Sequence, residues 1–109
     1  MATVNFFYRS IKDEAPLSFR LQFRHEKKDF LFEAKSKITT SKEFWKKRKI
    51  KSRDIVIENE KIELEKKTID LAKYILDEFK KIEPTTASKQ WLKRITENYY
   101  FIKENPNIS

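Results

Sequence analysis

The chain has 109 residues, enough for one compact domain with a hydrophobic core. Apolar residues make up 39% of the sequence and aromatic residues 14%, which excludes a disordered chain. Cysteine and glycine are both absent, which excludes disulfide bonds, thiolate metal sites and glycine-rich phosphate loops. No apolar stretch reaches the length of a membrane span and the start lacks a signal-peptide pattern, so we expect a cytoplasmic protein without a membrane partner.

The net charge of +8 is distributed unevenly along the chain. Residues 1–53 contain 15 Lys and Arg against 6 Asp and Glu, whereas residues 54–109 contain 10 against 11. A generally basic protein would spread this excess over both halves. A basic half joined to a neutral half predicts a surface that binds a polyanion, carried on its own scaffold.

Three strands are predicted in the first half, near residues 3–10, 16–25 and 29–38. Strict alternation in the second strand separates apolar from polar side chains on opposite faces. Its apolar set is Leu17, Phe19, Leu21 and Phe23, and its polar set is Ser18, Arg20, Gln22 and Arg24. The third strand alternates Phe30, Phe32, Ala34 and Ile38 with Leu31, Glu33, Lys35 and Lys37. We expect the second and third strands to form an antiparallel hairpin.

Turn chemistry predicts where these strands begin and end. A polar connection, residues 10–15, is closed by Pro16, which cannot donate to a strand ladder and therefore marks the start of the second strand. The segment His25 to Lys28 is a polar turn. Because the chain has no glycine, a two-residue turn with positive φ is not expected, and a longer loop built on a type I turn is predicted.

Helical patterns follow the third strand. Thr40 and Glu43 have the spacing of a capping box and predict a short helix, followed by the basic run of residues 46–53, which is typical of a solvated loop. A long helix is predicted near residues 56–82. Its apolar stripe is Leu64, Thr68, Leu71, Ile75, Phe79 and Ile82, with Ile62, Ile69, Ala72 and Leu76 beside it. Pro84 stops this helix, and Ser88 is the predicted cap of a last helix near residues 89–102.

These elements predict an α+β fold. Its three-stranded antiparallel sheet packs against the long helix, with a short helix after strand three and a C-terminal helical extension.

The polar side of the sheet is the candidate binding surface. Its side chains are Asn5, Arg9, Arg20, Gln22, Arg24, Glu33, Lys35 and Lys37. Arg can bind guanine with two hydrogen bonds, Gln and Asn can bind adenine, and Lys can hold phosphate. The solvated face of any half-buried sheet also alternates, so alternation alone is weak evidence. The excess of cations favours a surface that faces DNA.

Two further features bear on function. The run Lys46, Lys47, Arg48 and Lys49 could contact phosphates, or it could be a solvated loop. His25 is the only histidine and lies in a turn, and the acids are scattered beside lysines. Neither a nucleophile with its base nor a set of metal ligands can be assembled from these residues, so we expect a chain without enzyme activity, metal, cofactor or small-molecule substrate.

The order of these segments resembles the start of tyrosine-recombinase integrases of mobile elements, especially those of Bacteroides-type bacteria. The resemblance rests on the aromatic strand of residues 4–9, the segments 16–21 and 40–45, the long helix and Trp91-Leu92, and it covers residues 1 to about 100. In that family this region is an arm-binding domain whose exposed sheet face enters the DNA major groove. The DNA-binding residues that the resemblance implies are Asn5, Arg9, Arg20, Gln22, Arg24, Lys35 and Lys37.

The resemblance also implies a domain organisation. Residues 1–84 would be the arm-type DNA-binding domain, and residues 85–109 a linker and helix leading towards a core-binding domain. The catalytic domain of a tyrosine recombinase would be missing from this chain. Its partners would be double-stranded DNA and, in the full-length protein, other integrase protomers.

Two other functions remain open from the sequence. A sheet-plus-helix module could bind RNA or act in transcription, since a fold does not determine a function. Alternatively, the apolar helical stripe and Trp91 could form a protein-interaction surface.

Overall fold

The computed structural model describes residues 2–50 and 52–105. The elements in chain order are β1 (Thr3–Phe7), β2 (Glu14–His25), β3 (Lys28–Ser41), α1 (Lys42–Lys47), α2 (Ile55–Lys80), a single 3₁₀ turn (Pro84–Thr86) and α3 (Lys89–Glu104). The strands form an antiparallel sheet in the order β1-β2-β3. The predicted α+β fold with a three-stranded antiparallel sheet is confirmed.

The central strand β2 shows the predicted division between its two faces. Leu17, Phe19 and Leu21 are completely buried, whereas Gln22 and Arg24 are exposed. We call the buried side of the sheet the apolar face; cross-strand partners such as Phe6, Ala34 and Phe32 lie on it too. Burial of each large apolar side chain contributes about 1.5–3 kcal/mol, so this face dictates the register of the sheet.

Both long helices cover the apolar face. The core contains Leu64, Leu71 and Ile75 from α2 and Trp91, Leu92 and Ile95 from α3. The structure thus packs α3 into the same core as the sheet, and the division of the chain near residue 84 stays a prediction. Leu64, Leu71 and Ile75 of the predicted stripe, together with Trp91, are buried in this core.

Helix α2 lies close to its predicted position, but two of its isoleucines are more exposed than predicted. It begins after Asp54, whose carboxylate accepts from the backbone N–H of Val56 at 2.9 Å, and it ends before Pro84. Ile62 and Ile69 were expected beside the apolar stripe and are instead about half exposed, at 49% and 56%. At about 100° per residue, Ile62 points roughly 160° away from Leu64, which faces the core.

The ends of the strands differ from the predictions. β1 ends at Phe7, while β2 begins at Glu14 and carries Pro16 within it, at an irregularity in its pairing with β3. Pro16 is tolerated there because β1 does not extend to this part of β2 and the ladder is already interrupted. The hydroxyl of Ser36 bridges the irregularity, donating to the Leu17 carbonyl at 2.7 Å and accepting from the Ile38 N–H at 3.1 Å.

The cap of α1 also lies one residue later than predicted. Thr40 is buried in β3, which continues to Ser41, so Thr40 cannot serve as the cap. The Ser41 hydroxyl accepts from the Phe44 N–H at 3.0 Å instead. The predicted cap of α3 is confirmed, because the Ser88 hydroxyl accepts from the Trp91 N–H at 3.0 Å.

The prediction that β2 and β3 are joined by a loop longer than two residues, built on a type I turn, was wrong. His25 lies opposite Lys28, so the turn consists of Glu26 and Lys27, with φ values of 50° and 67°. Positive φ at both positions is the signature of a type I′ turn, whose twist matches that of the flanking strands. The strands therefore impose a left-handed conformation on two residues that disfavour it, at a cost of about 1–2 kcal/mol per residue.

This turn is a site at which the fold can be stabilised. Replacing Glu26 and Lys27 together by Asn and Gly should raise the free energy of unfolding by about 1 kcal/mol, hence the melting temperature by about 4–8 °C. Lys27→Ala is the control, because it removes the charge of Lys27 but keeps the left-handed strain. Thermal unfolding followed by circular dichroism measures both. A melting temperature of the Asn-Gly variant at or below that of the wild type would contradict the turn assignment.

Candidate nucleic-acid interface

The second side of the sheet, which we call the polar face, is exposed at most of its positions, although Ser18 is buried. It comprises Thr3, Asn5 and Phe7 from β1, Ser18, Arg20, Gln22 and Arg24 from β2, and Asp29, Leu31, Glu33 and Lys35 from β3. The register places Asn5 and Glu33 on either side of Arg20, and Thr3 and Leu31 on either side of Gln22. Asn5, Arg20, Gln22, Arg24 and Lys35 therefore share one surface, as the alternation predicted.

At the centre of the polar face, two arginines share one carboxylate. Arg20 donates from Nη2 to Glu33 Oε1 at 2.8 Å, and Arg9 donates from Nη2 to the same oxygen at 2.5 Å. Both guanidinium groups also lie over the ring of Phe7, with centroid distances of 5.1 Å for Arg20 and 4.6 Å for Arg9. The cluster of these four residues fixes Arg20 in place before any ligand binds.

This cluster changes the acidity of Glu33. The pKa of the Glu33 carboxyl is held below its ordinary value, mainly by the hydrogen bond from Arg20, and the charge and hydrogen bond of Arg9 act in the same direction. Partial desolvation of the carboxyl opposes this shift. A lowered pKa means that ionised Glu33 stabilises the fold above the unfolded value of about 4.3, and that this contribution disappears as the pH falls through the folded pKa.

The side chains of the polar face outside this cluster are more exposed. Gln22 and Asn5 are exposed, and the side chain of Arg24 is 67% exposed with its Nε 3.9 Å from Asp29. Leu31, beside Gln22, leaves an apolar patch on an otherwise polar surface and is 47% exposed. The exposed amides and guanidinium of this region can form hydrogen bonds with a ligand without first leaving a buried partner.

Lys37, which was also predicted to bind DNA, contacts helix α3. It follows the irregularity in β3 and contacts the end of α3, where its Nζ is 3.2 Å from Glu104 Oε1 and 5.4 Å from the centroid of the Tyr100 ring. Its backbone N–H donates to the Tyr100 hydroxyl at 2.9 Å. Lys35, in contrast, points outward next to Ser18.

Part of the basic run is helical, and two of its side chains contact other residues. Lys46 and Lys47 belong to α1, and Lys47 pairs with Glu43 at 2.6 Å. The Arg48 guanidinium stacks on Trp45, 3.6 Å from the ring centroid, while Lys49 is exposed in the turn that follows. Lys51 of this run lies outside the described residues.

Residues 2–50 and 52–105 contain no group of three or more His, Cys, Asp and Glu side chains that could hold a metal ion. His25 lies next to the type I′ turn, with its Nε2 3.8 Å from Glu26. Within the same residues, no helix is both long and apolar enough to cross a membrane.

No protein family model, curated protein or solved structure matches the chain.

The arrangement around Glu33 can be tested in the protein alone. Arg20→Met should raise the pKa of Glu33 towards its ordinary value, because it removes the largest cause of the lowered pKa. A carboxyl-detected NMR titration measures this pKa directly. Lys35→Met, which removes a neighbouring cation of the same face, should leave the pKa nearly unchanged. An equal response to the two substitutions would contradict the shared hydrogen bond.

Proposed function

We propose that the chain is a sequence-specific, double-stranded DNA-binding module, the arm-binding domain of a tyrosine recombinase. One observation carries the proposal: the polar face aligns Asn5, Arg20 and Gln22 on adjacent strands, with Arg9 and Lys35 beside them. These side chains are among those that bind base edges in the major groove. The proposed setting is the cytoplasm, where the chain would act together with other protomers of the recombinase and without catalytic residues of its own.

The dimensions of the sheet suit this role. The outer strands of a three-stranded sheet lie about 10 Å apart, comparable with the major groove width of about 12 Å. With the polar face in the groove, the side chains of the central strand β2 point to the floor, where the base edges lie. Those of β1 and β3 lie closer to the walls, where the phosphates are. Arg20 and Gln22 are then placed to recognise bases, and Lys35 to hold the backbone.

The cluster around Glu33 favours sequence-specific recognition of DNA over nonspecific electrostatic attraction to phosphates. A guanidinium held by a carboxylate and an aromatic ring loses less side-chain freedom when it binds guanine. Glu33 also repels phosphate, so it lowers the affinity for DNA that offers no favourable base contact. Leu31 adds an apolar group beside Gln22 that can contact a thymine methyl group.

Selection from a pool of random duplexes supplies the specific duplex for the test, and a scrambled duplex and an RNA hairpin serve as comparisons. Arg20→Ala or Gln22→Ala should cost about 1–3 kcal/mol on the selected duplex and much less on the scrambled one. Lys35→Ala should weaken both duplexes and reduce the slope of log affinity against log salt by about one unit from an initial −4 to −5. Fluorescence anisotropy measures all of these affinities.

Lys73→Ala is the matched control for Lys35→Ala, because Lys73 is exposed on α2, behind the sheet. It should leave both affinities unchanged. An unaltered ratio of selected to scrambled affinity in the Arg20 and Gln22 variants would contradict base recognition by β2. Tighter binding to the RNA hairpin than to any duplex would favour the alternative of an RNA-binding module.

A further inference from the structure

A trough runs along the edge of the polar face on the side of α3. It consists of a cleft of about 440 Å³ between the sheet and α3 and a second cleft of about 350 Å³ beside the connection between β1 and β2. Both clefts are lined by Arg9, Ser18 and Lys35, so they are continuous. Lys89 and Lys93 line the first cleft, and Lys12 lines the second.

The packing of α3 in the core directs two of its lysines to the trough. Trp91, Leu92 and Ile95 are buried against the sheet and α2, which fixes the rotation of the helix. Lys89 and Lys93 are one helical turn apart, so both lie on the side that faces β3.

The position of Lys12 is fixed on the opposite side of the trough. The Tyr8 hydroxyl donates to the Lys12 carbonyl at 2.6 Å, and the Lys12 N–H donates to the Ser10 hydroxyl at 3.0 Å. These bonds curl the connection between β1 and β2 beside Arg9. The trough therefore has cations on both of its walls, contributed by segments that are distant in sequence.

The charge of the trough is positive, although acids also line it. Glu14, Glu33 and Glu97 accompany five cations, and Glu33 already accepts hydrogen bonds from Arg9 and Arg20. Helix α2, behind the sheet, carries seven acidic and five basic side chains, whereas α3 carries four basic and two acidic. The molecule is thus polarised, with its negative helix away from the polar face and its positive helix beside it.

We infer that this trough binds the sugar-phosphate backbone of one DNA strand, with phosphates held by Lys89 and Lys93 across from Lys35. The inference rests on the proposed function, and it adds residues of α3 to the interface. When the polar face enters the groove, the strand that forms the nearer wall comes to lie between the sheet and α3. The basic run at Lys46–Lys49 does not line this trough, and two of its cations are engaged by Glu43 and Trp45.

The test compares two variants that each remove two positive charges. Lys89→Ala/Lys93→Ala should reduce the slope of log affinity against log salt by about two units and weaken binding about ten- to a hundredfold at about 0.1 M salt. Lys46→Ala/Lys49→Ala, the matched control, should leave the slope within about half a unit of the wild type. The probe is a labelled duplex of mixed sequence, titrated by anisotropy between about 50 and 200 mM salt. Circular dichroism melting confirms that both variants are folded, as expected for exposed lysines.

The outcomes separate this inference from the proposed function. If the wild type binds the duplex and the α3 variant loses no more affinity than the control, the trough assignment is overturned while DNA binding by the sheet stands. If the wild type binds no duplex at low salt, both fail. If a Lys89→Arg/Lys93→Arg variant keeps the affinity that the Ala variant loses, the result supports a phosphate contact, because arginine keeps the charge at the same two positions.

Discussion

The packing of β2 against the two long helices is the constraint on which the polar face depends. Leu17, Phe19 and Leu21 are fully buried, and exposing them by a one-residue slip would cost about 1.5–3 kcal/mol for each side chain. The ion pairs on the polar face are worth far less, about 0–1 kcal/mol each when exposed. The apolar face therefore selects the register, and the alternation of β2 then directs Arg20 and Gln22 outward. The buried residues of β2 thus determine which of its side chains are directed to the polar face.

Much of the fold could be predicted from local patterns. The alternation of β2 and β3 identified both faces, and the periodicity of α2 and the cap at Ser88 located the helices, because each of these signals lies within a few residues. The turn between β2 and β3 could not be predicted in this way. Its positive φ values at Glu26 and Lys27 follow from the twist of the paired strands, and this tertiary requirement outweighs the preference of the two residues.

The missed turn explains why the cluster on the polar face was missed as well. Once His25 lies opposite Lys28, counting along the hairpin places Arg20 opposite Glu33 and Arg24 opposite Asp29. A longer loop leaves this register undetermined. The place of the α3 lysines beside the polar face could not be predicted for a different reason, since the sequence puts them in the half of the chain without excess positive charge. They join the basic surface through packing of the helix beside β3.

We propose that the polar face of the sheet is the surface that contacts DNA. The most direct measurement is an NMR titration of the ¹⁵N-labelled chain with the selected duplex, followed through the side-chain amide signals of Asn5 and Gln22. Both residues are exposed on the polar face, and their NH₂ groups report contacts of these side chains with DNA without the ambiguity of backbone shifts. Large shifts of both side-chain signals, with α2 signals unchanged, are the predicted result. Shifts confined to α1 and the outer surface of α2, with Asn5 and Gln22 unaffected, would contradict the account.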